Sequence, residues 1–211
     1  MDGLLIDSET LWQEAANEIF NKKGIYLSQD QYETSTGLRT AEFLNYWFTF
    51  FKLDKKEIPT LEIEIVHAVI EKVKTKGIIL PGVDYIFNFF KKRNFKMGLA
   101  SSSPLSLINE VVDVLGIKNN LNAISSAQDL AYGKPHPQVF LDCAKELHSN
   151  PEECICFEDS LNGLIAAKAA KMKCVVVPVS HQSHLNKWCI ADLQLKSLKE
   201  FNQNHLEALN S

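Results

Sequence analysis

The residues best suited to chemistry stand at the ends of apolar runs. Glu158 and Asp159, in "FEDS" (157–160), are adjacent acids directly after the run "CICF". Two carboxylates there are costly if buried and unpaired, and a hard cation relieves that cost. Mg2+ takes a few carboxylate oxygens together with water and substrate phosphate, so this pair is a candidate Mg2+ site. The alternative is acids favoured at a helix N-terminus. Ser101, in "ASSSP" (100–104), also follows an apolar stretch and precedes a helical pattern. Its hydroxyl, with the amides of Ser102 and Ser103, would hold an anion; plain capping by Ser103 is the alternative. Lys134, in "YGKPHP", sits between a glycine and a proline, so it is either a fixed charge for a phosphate or a solvated loop lysine. His136, between two prolines, reads as structural. Asp2, before Gly3, and Asp7, before the first helical pattern, say little alone: an acid before a turn glycine is common, and Asp7 could cap a helix.

These loops need a scaffold. Leu11, Ala15 and Ile19, with Ala16 and Phe20 beside them, predict a helix over 8–23, capped by Ser8 and stopped by Gly24. Two further helical patterns over 40–76 break near Pro59, and the aromatics of "FLNYWFTFF" (43–51) read as packing within a small helical unit. From "LPG" (80–82) onward the pattern changes. Helices over 83–93, 104–115, 137–148 and 161–171 alternate with short apolar strands at 96–100, 121–125, 154–158 and 174–178. Strands alternating with helices mean parallel strands and crossover connections, hence a doubly wound α/β sheet. Ligands bind beyond the C-terminal ends of such strands, where Ser101, Lys134, Glu158 and Asp159 fall. The core is expected over 1–11 and 78–211, with a helical cap over 12–77.

Composition narrows the function classes. The chain has 211 residues, 45% hydrophobic and 23% charged, with a formal charge of -4. That charge argues against a nucleic-acid partner, which needs a basic face. No apolar run approaches the roughly 18 residues of a membrane helix, and the N-terminus lacks the flanks of a signal peptide. The five cysteines, Cys143, Cys154, Cys156, Cys174 and Cys189, are an odd set in apolar surroundings and read as buried, reduced thiols of a cytoplasmic protein.

Taken in order, "MDGLLIDSE" (1–9), "LPGV" (80–83), "GLASSSP" (98–104), "YGKPHPQVFLDCA" (132–144) and "FEDSLNGLIAAKAAKM" (157–172) resemble the haloacid dehalogenase (HAD) superfamily of phosphohydrolases. Within it they are similar to the branch of β-phosphoglucomutase and sugar-phosphate phosphatases, most of all the hexitol and 2-deoxyglucose-6-phosphate phosphatases. "GLR" (37–39) resembles a cap loop of that branch. The resemblance implies a Rossmann-like core with an inserted cap, and a Mg2+-dependent phosphatase of small sugar or polyol phosphates that works through a phospho-aspartate. Asp2 would be the acid/base, its backbone carbonyl also touching Mg2+. Ser101, Ser102 and Lys134 would hold the phosphoryl oxygens, Glu158 and Asp159 the metal, and Arg39 would face the substrate.

The first family motif reads Asp-x-Asp-Gly, and Met1-Asp2-Gly3 matches its last three positions. The nucleophile and the first core strand are therefore expected ahead of Met1, and the chain as it stands is expected to be inactive. Two rival readings remain. A mutase would need a second phosphate clamp and a histidine where Pro104 and Trp12 stand. A catalytically dead protein would only bind a phosphorylated ligand. A monomer is the family's usual state.

Overall fold

A computed structural model describes residues 1–210. A short strand β1 (Ile6–Asp7) leads into helix α1 (Glu9–Asn21), which buries the predicted stripe of Leu11, Ala15, Ala16, Ile19 and Phe20. Helices α2 (Gln29–Thr34), α3 (Thr40–Phe50) and α4 (Ile58–Lys76) follow. Pro59 opens α4 in its first turn, where its missing N–H costs nothing. Helix α4 is the spine of this part: α1 and α3 both pack on it. Within "FLNYWFTFF", Leu44, Trp47 and Phe48 are buried, and Phe48 meets Phe20 edge-on at 6.0 Å. The chain then enters β2 (Ile78–Ile79), which pairs antiparallel with β1.

The remainder alternates as expected. The elements are α5 (Val83–Lys91), β3 (Gly98–Ser101), α6 (Leu105–Val114), β4 (Ala123–Ser126) and α7 (Gln138–Glu146). They continue with β5 (Ile155–Glu158), α8 (Leu161–Ala169), β6 (Lys173–Val176), β7 (Leu193–Gln194) and α9 (Gln203–Asn210). All pairings among β3 to β7 are parallel, as crossover connections require. α7 packs on β3 and β4, and α8 on β5 and β6.

The parallel strands form two sheets, β3–β4 and β5–β6–β7, with an apolar slot of about 520 Å3 between them, lined by Leu99, Ile155, Phe157, Phe90 and Leu5 among others. Two expectations are corrected. Ser8 does not cap α1 with its side chain; its hydroxyl is drawn to Asp2 instead. The cysteines are all free, but Cys189 is exposed and Cys154 half-buried.

Candidate active site

The chemistry-bearing loops converge. Asp2, Ser101, Ser102, Lys134, Glu158 and Asp159 line one cavity of about 160 Å3, closed on the opposite side by α1, by Tyr32 and Glu33 of α2, and by the loop 35–38. The two halves are tied directly. The Ser102 hydroxyl donates to Gly37 O at 2.9 Å, and Asn162 Nδ2 donates to Thr36 O at 3.0 Å.

Lys134 is a buried cation with a fixed partner. Its Nζ donates to Glu158 Oε1 at 2.7 Å and to Ala100 O at 3.2 Å, and it lies over the Phe140 ring. Burial works against its charge, but Glu158 prevails and lifts its pKa above the ordinary lysine value. Burial likewise pushes Glu158 up, yet Lys134 and a hydrogen bond from the Ser160 backbone hold that carboxyl below its usual range. The Asp159 and Ser160 amides and the Ser160 hydroxyl all donate to Glu158 Oε2.

Asp159 is the opposite case. Its carboxylate receives no hydrogen bond from any described residue. Burial, with the Glu158 charge adding, pushes its pKa up to about 8. A half-buried acid without a donor beside a second, buried and ionised acid is what a divalent cation compensates, so the pair fits Mg2+. The pair would supply only part of the coordination shell: among the described residues, no group of three or more His, Cys, Asp or Glu side chains is arranged to hold a metal. The pair is also packed between glycines. A Cβ on Gly3 would collide with the Asp159 carboxylate, and one on Gly163 with that of Glu158. Gly3 in addition holds a φ of +65, where a side chain is strained.

Asp2 is oriented by three donors. Ser8 Oγ and Trp12 Nε1 donate to Oδ1 at 2.6 and 3.0 Å, and Ser103 Oγ donates to Oδ2 at 2.9 Å. Sequence reasoning missed this role of Ser8, Trp12 and Ser103. The signal lay in their types alone, hydroxyls and an indole in the loops beside an acid. Capping by Ser103, the alternative for that loop, is not what the structure shows: Pro104 stands at the N-cap of α6 and no side chain caps it. At the serine loop, Ser101 Oγ accepts from the Ser103 amide at 3.1 Å, so that amide is engaged within the loop.

Arg39 stands elsewhere than expected. It does not line the cavity. Its guanidinium pairs with Glu42 at 2.6 Å and donates to the carbonyls of Ala127 and Leu130, tying the N-terminus of α3 to the loop after β4. Glu42, three residues on, holds the fork in place, which aims it at backbone oxygens rather than at a substrate.

An acid pair, a buried lysine and a serine loop thus meet at the C-terminal ends of parallel strands, facing the helices that follow β1. The chain belongs to the haloacid dehalogenase-like hydrolase family, whose model matches residues 1–177. It is 35% identical over 207 residues to hexitol phosphatase B of Escherichia coli (strain K12), covering 98% of this chain and 93% of that one. It is 30% identical over 184 residues to β-phosphoglucomutase of Bacillus subtilis (strain 168), covering 84% and 80%. A crystal structure of β-phosphoglucomutase from Clostridium difficile superposes with a TM-score of 0.85 at 28% identity, covering 99% and 94%.

Proposed function

We propose that the protein is a Mg2+-dependent phosphatase of small sugar or polyol phosphates, such as hexitol phosphates or 2-deoxyglucose 6-phosphate. The observation that carries this reading is the buried Lys134–Glu158 pair beside the unpartnered Asp159, in one cavity with Ser101 and Asp2. Lys134, the Ser101 hydroxyl and the Ser102 amide would hold the phosphoryl oxygens as charge develops on them. Glu158 and Asp159 would hold Mg2+, which neutralises phosphate charge when bound. Asp2 would give a proton to the departing sugar oxygen and later take one from water. The three donors on Asp2 fix where that proton is exchanged.

The acceptor of the phosphoryl group in this reading is the first aspartate of the family's Asp-x-Asp-Gly motif, whose last three positions Met1, Asp2 and Gly3 match. The slot between β3 and β5 supports it: an extended apolar segment placed there would pair with both strand edges and reach the cavity beside Glu158. The similarity to hexitol phosphatase B supports a hexitol phosphate over a hexose 1-phosphate. Against the mutase, Trp12 and Pro104 stand where that reading needs a histidine and a lysine, and Trp12 is already spent on Asp2.

The test is product analysis on the chain extended by the codons ahead of Met1. With Mg2+, it should release inorganic phosphate from hexitol and hexose 6-phosphates. Isomerisation of β-glucose 1-phosphate without phosphate release would establish the mutase, and ligand binding without turnover the catalytically dead binder.

A further inference from the structure

The cavity has a second polar face that the phosphatase reading leaves without a role. Glu9 and Gln13 lie four residues apart on α1, hence on one face of the helix, and both line the cavity. Neither side chain makes a hydrogen bond or ion pair to any described residue. Their polar neighbours on the same wall are already engaged. Glu33 accepts from His181, Gln182 and Gln29; the Tyr32 hydroxyl donates to Asn17; Ser35 and Thr36 donate to carbonyls. Folding therefore uses nearly every polar group around these two and leaves them facing the cavity. Trp12, Ala16, Phe43 and Ile65 supply apolar surface beside them.

Charge says what they can meet. Among the described residues, Lys134 is the sole cationic side chain lining the cavity, and Glu158 already pairs with it. At the α1 wall, Glu9 has Glu33, Asp7 and Asp2 for electrostatic neighbours, with only His181 opposing. A second phosphate or a carboxylate there would face three acids with only His181 to offset them. Hydroxyls would not: a carboxylate accepts from two neighbouring hydroxyls, and a glutamine amide both donates and accepts.

Resting on the phosphatase reading, we propose that Glu9 and Gln13 are specificity-determining residues that take the vicinal hydroxyls of an uncharged polyol or sugar and reject a leaving group bearing a second anion. The phosphate is held at Lys134 and the hydroxyl chain runs along α1. Glu9 sets the selectivity: it rewards donors and repels anions. Gln13, one turn further on, accepts either hydroxyl polarity and so adds affinity without charge selection.

The test is calorimetric titration of the protein, in Mg2+, with inorganic phosphate, a hexitol 6-phosphate and a hexose 1,6-bisphosphate. Wild type should bind the hexitol phosphate more tightly than the bisphosphate. Glu9→Ala should weaken the hexitol phosphate by about ten- to hundredfold, the range for hydrogen bonds to a charged group, and leave inorganic phosphate unchanged. Glu9→Gln keeps the shape, and it should raise the affinity for the bisphosphate; this arm stands even where Glu9→Ala folds poorly. Equal loss of phosphate and hexitol phosphate in Glu9→Ala, or no change for the bisphosphate in Glu9→Gln, would overturn the assignment. Failure of wild type to bind either phosphate or hexitol phosphate would instead overturn the phosphatase reading, and this one with it.

Discussion

The two walls of the cavity are built on opposite plans. On the core side, Lys134, Glu158 and Ser101 are buried and bonded to the protein, and glycines shape the space around the acids. On the α1 side, Glu9 and Gln13 are only part-buried and bond to nothing described. Groups that must act on every substrate benefit from being fixed beforehand, because no ordering cost remains when charge develops. Groups that choose among substrates benefit from being free, because only the right ligand satisfies them. Asp159 is the exception on the core side: it is half-buried and its carboxylate has no donor, so its charge awaits a cation.

The largest effect should come from breaking the core wall. Lys134→Met leaves Glu158 as a buried carboxylate without its counter-charge, which should cost about 3–5 kcal/mol in urea unfolding. A loss under about 1 kcal/mol would mean that the core wall is not prebuilt.

Next is the pH response of Asp159. Folding raises its pKa from 3.8 to about 8, so the folded metal-free protein holds that proton more tightly than the unfolded chain does. The associated stability is complete below pH 4 and is lost as pH rises toward 8. Mg2+ must displace the same proton. Its affinity should therefore rise by up to about tenfold per pH unit between pH 6 and 8 and then level off. Titrations of Mg2+ at pH 6, 7 and 8 check this, and Asp159→Asn should bind weakly and without that slope.

Gly3→Ala should be smaller but still felt on both counts. The strained φ costs on the order of 1 kcal/mol, and the new methyl pushes Asp159 out of place. Thermal melting reads the first effect and Mg2+ titration the second. The smallest change is Trp12→Phe, which deletes one donor to Asp2 and keeps the bulk. It should cost about 0.5–1.5 kcal/mol of orientation, seen as a several-fold fall in kcat with KM nearly unchanged. A change in KM alone would move Trp12 from the core plan to the recognition wall.

The elements with strong periodicity were legible in the chain. α1 buries the same five residues that its spacing marks, and the strand-helix alternation after residue 80 recurs within a few residues. α2 escaped notice because it has six residues and buries none, so it has no apolar stripe to read. β1 and β2 have two residues each and exist through each other, a long-range fact that a local pattern does not carry. At the site, residue types near strand ends located Ser101, Lys134 and the acid pair, while Asp2 was marked only by the family motif. What spacing does not encode is who holds whom. Ser8 and Ser103 looked like caps because capping is the usual use of a serine before a helix. The Asp2 carboxylate, 101 residues from Ser103 in the chain, competes for those hydroxyls and wins. Arg39 looked like a substrate contact from its motif, yet Glu42 three residues on turns it toward carbonyls after β4.

The most direct test of the central claim is Mg2+-dependent release of inorganic phosphate from a hexitol 6-phosphate by the extended chain, with Asp2→Asn beside it. The account predicts release that requires Mg2+ and falls by about 10²–10⁴-fold in Asp2→Asn, with phosphate still bound. Release that is independent of Mg2+, or equal in Asp2→Asn, would contradict it.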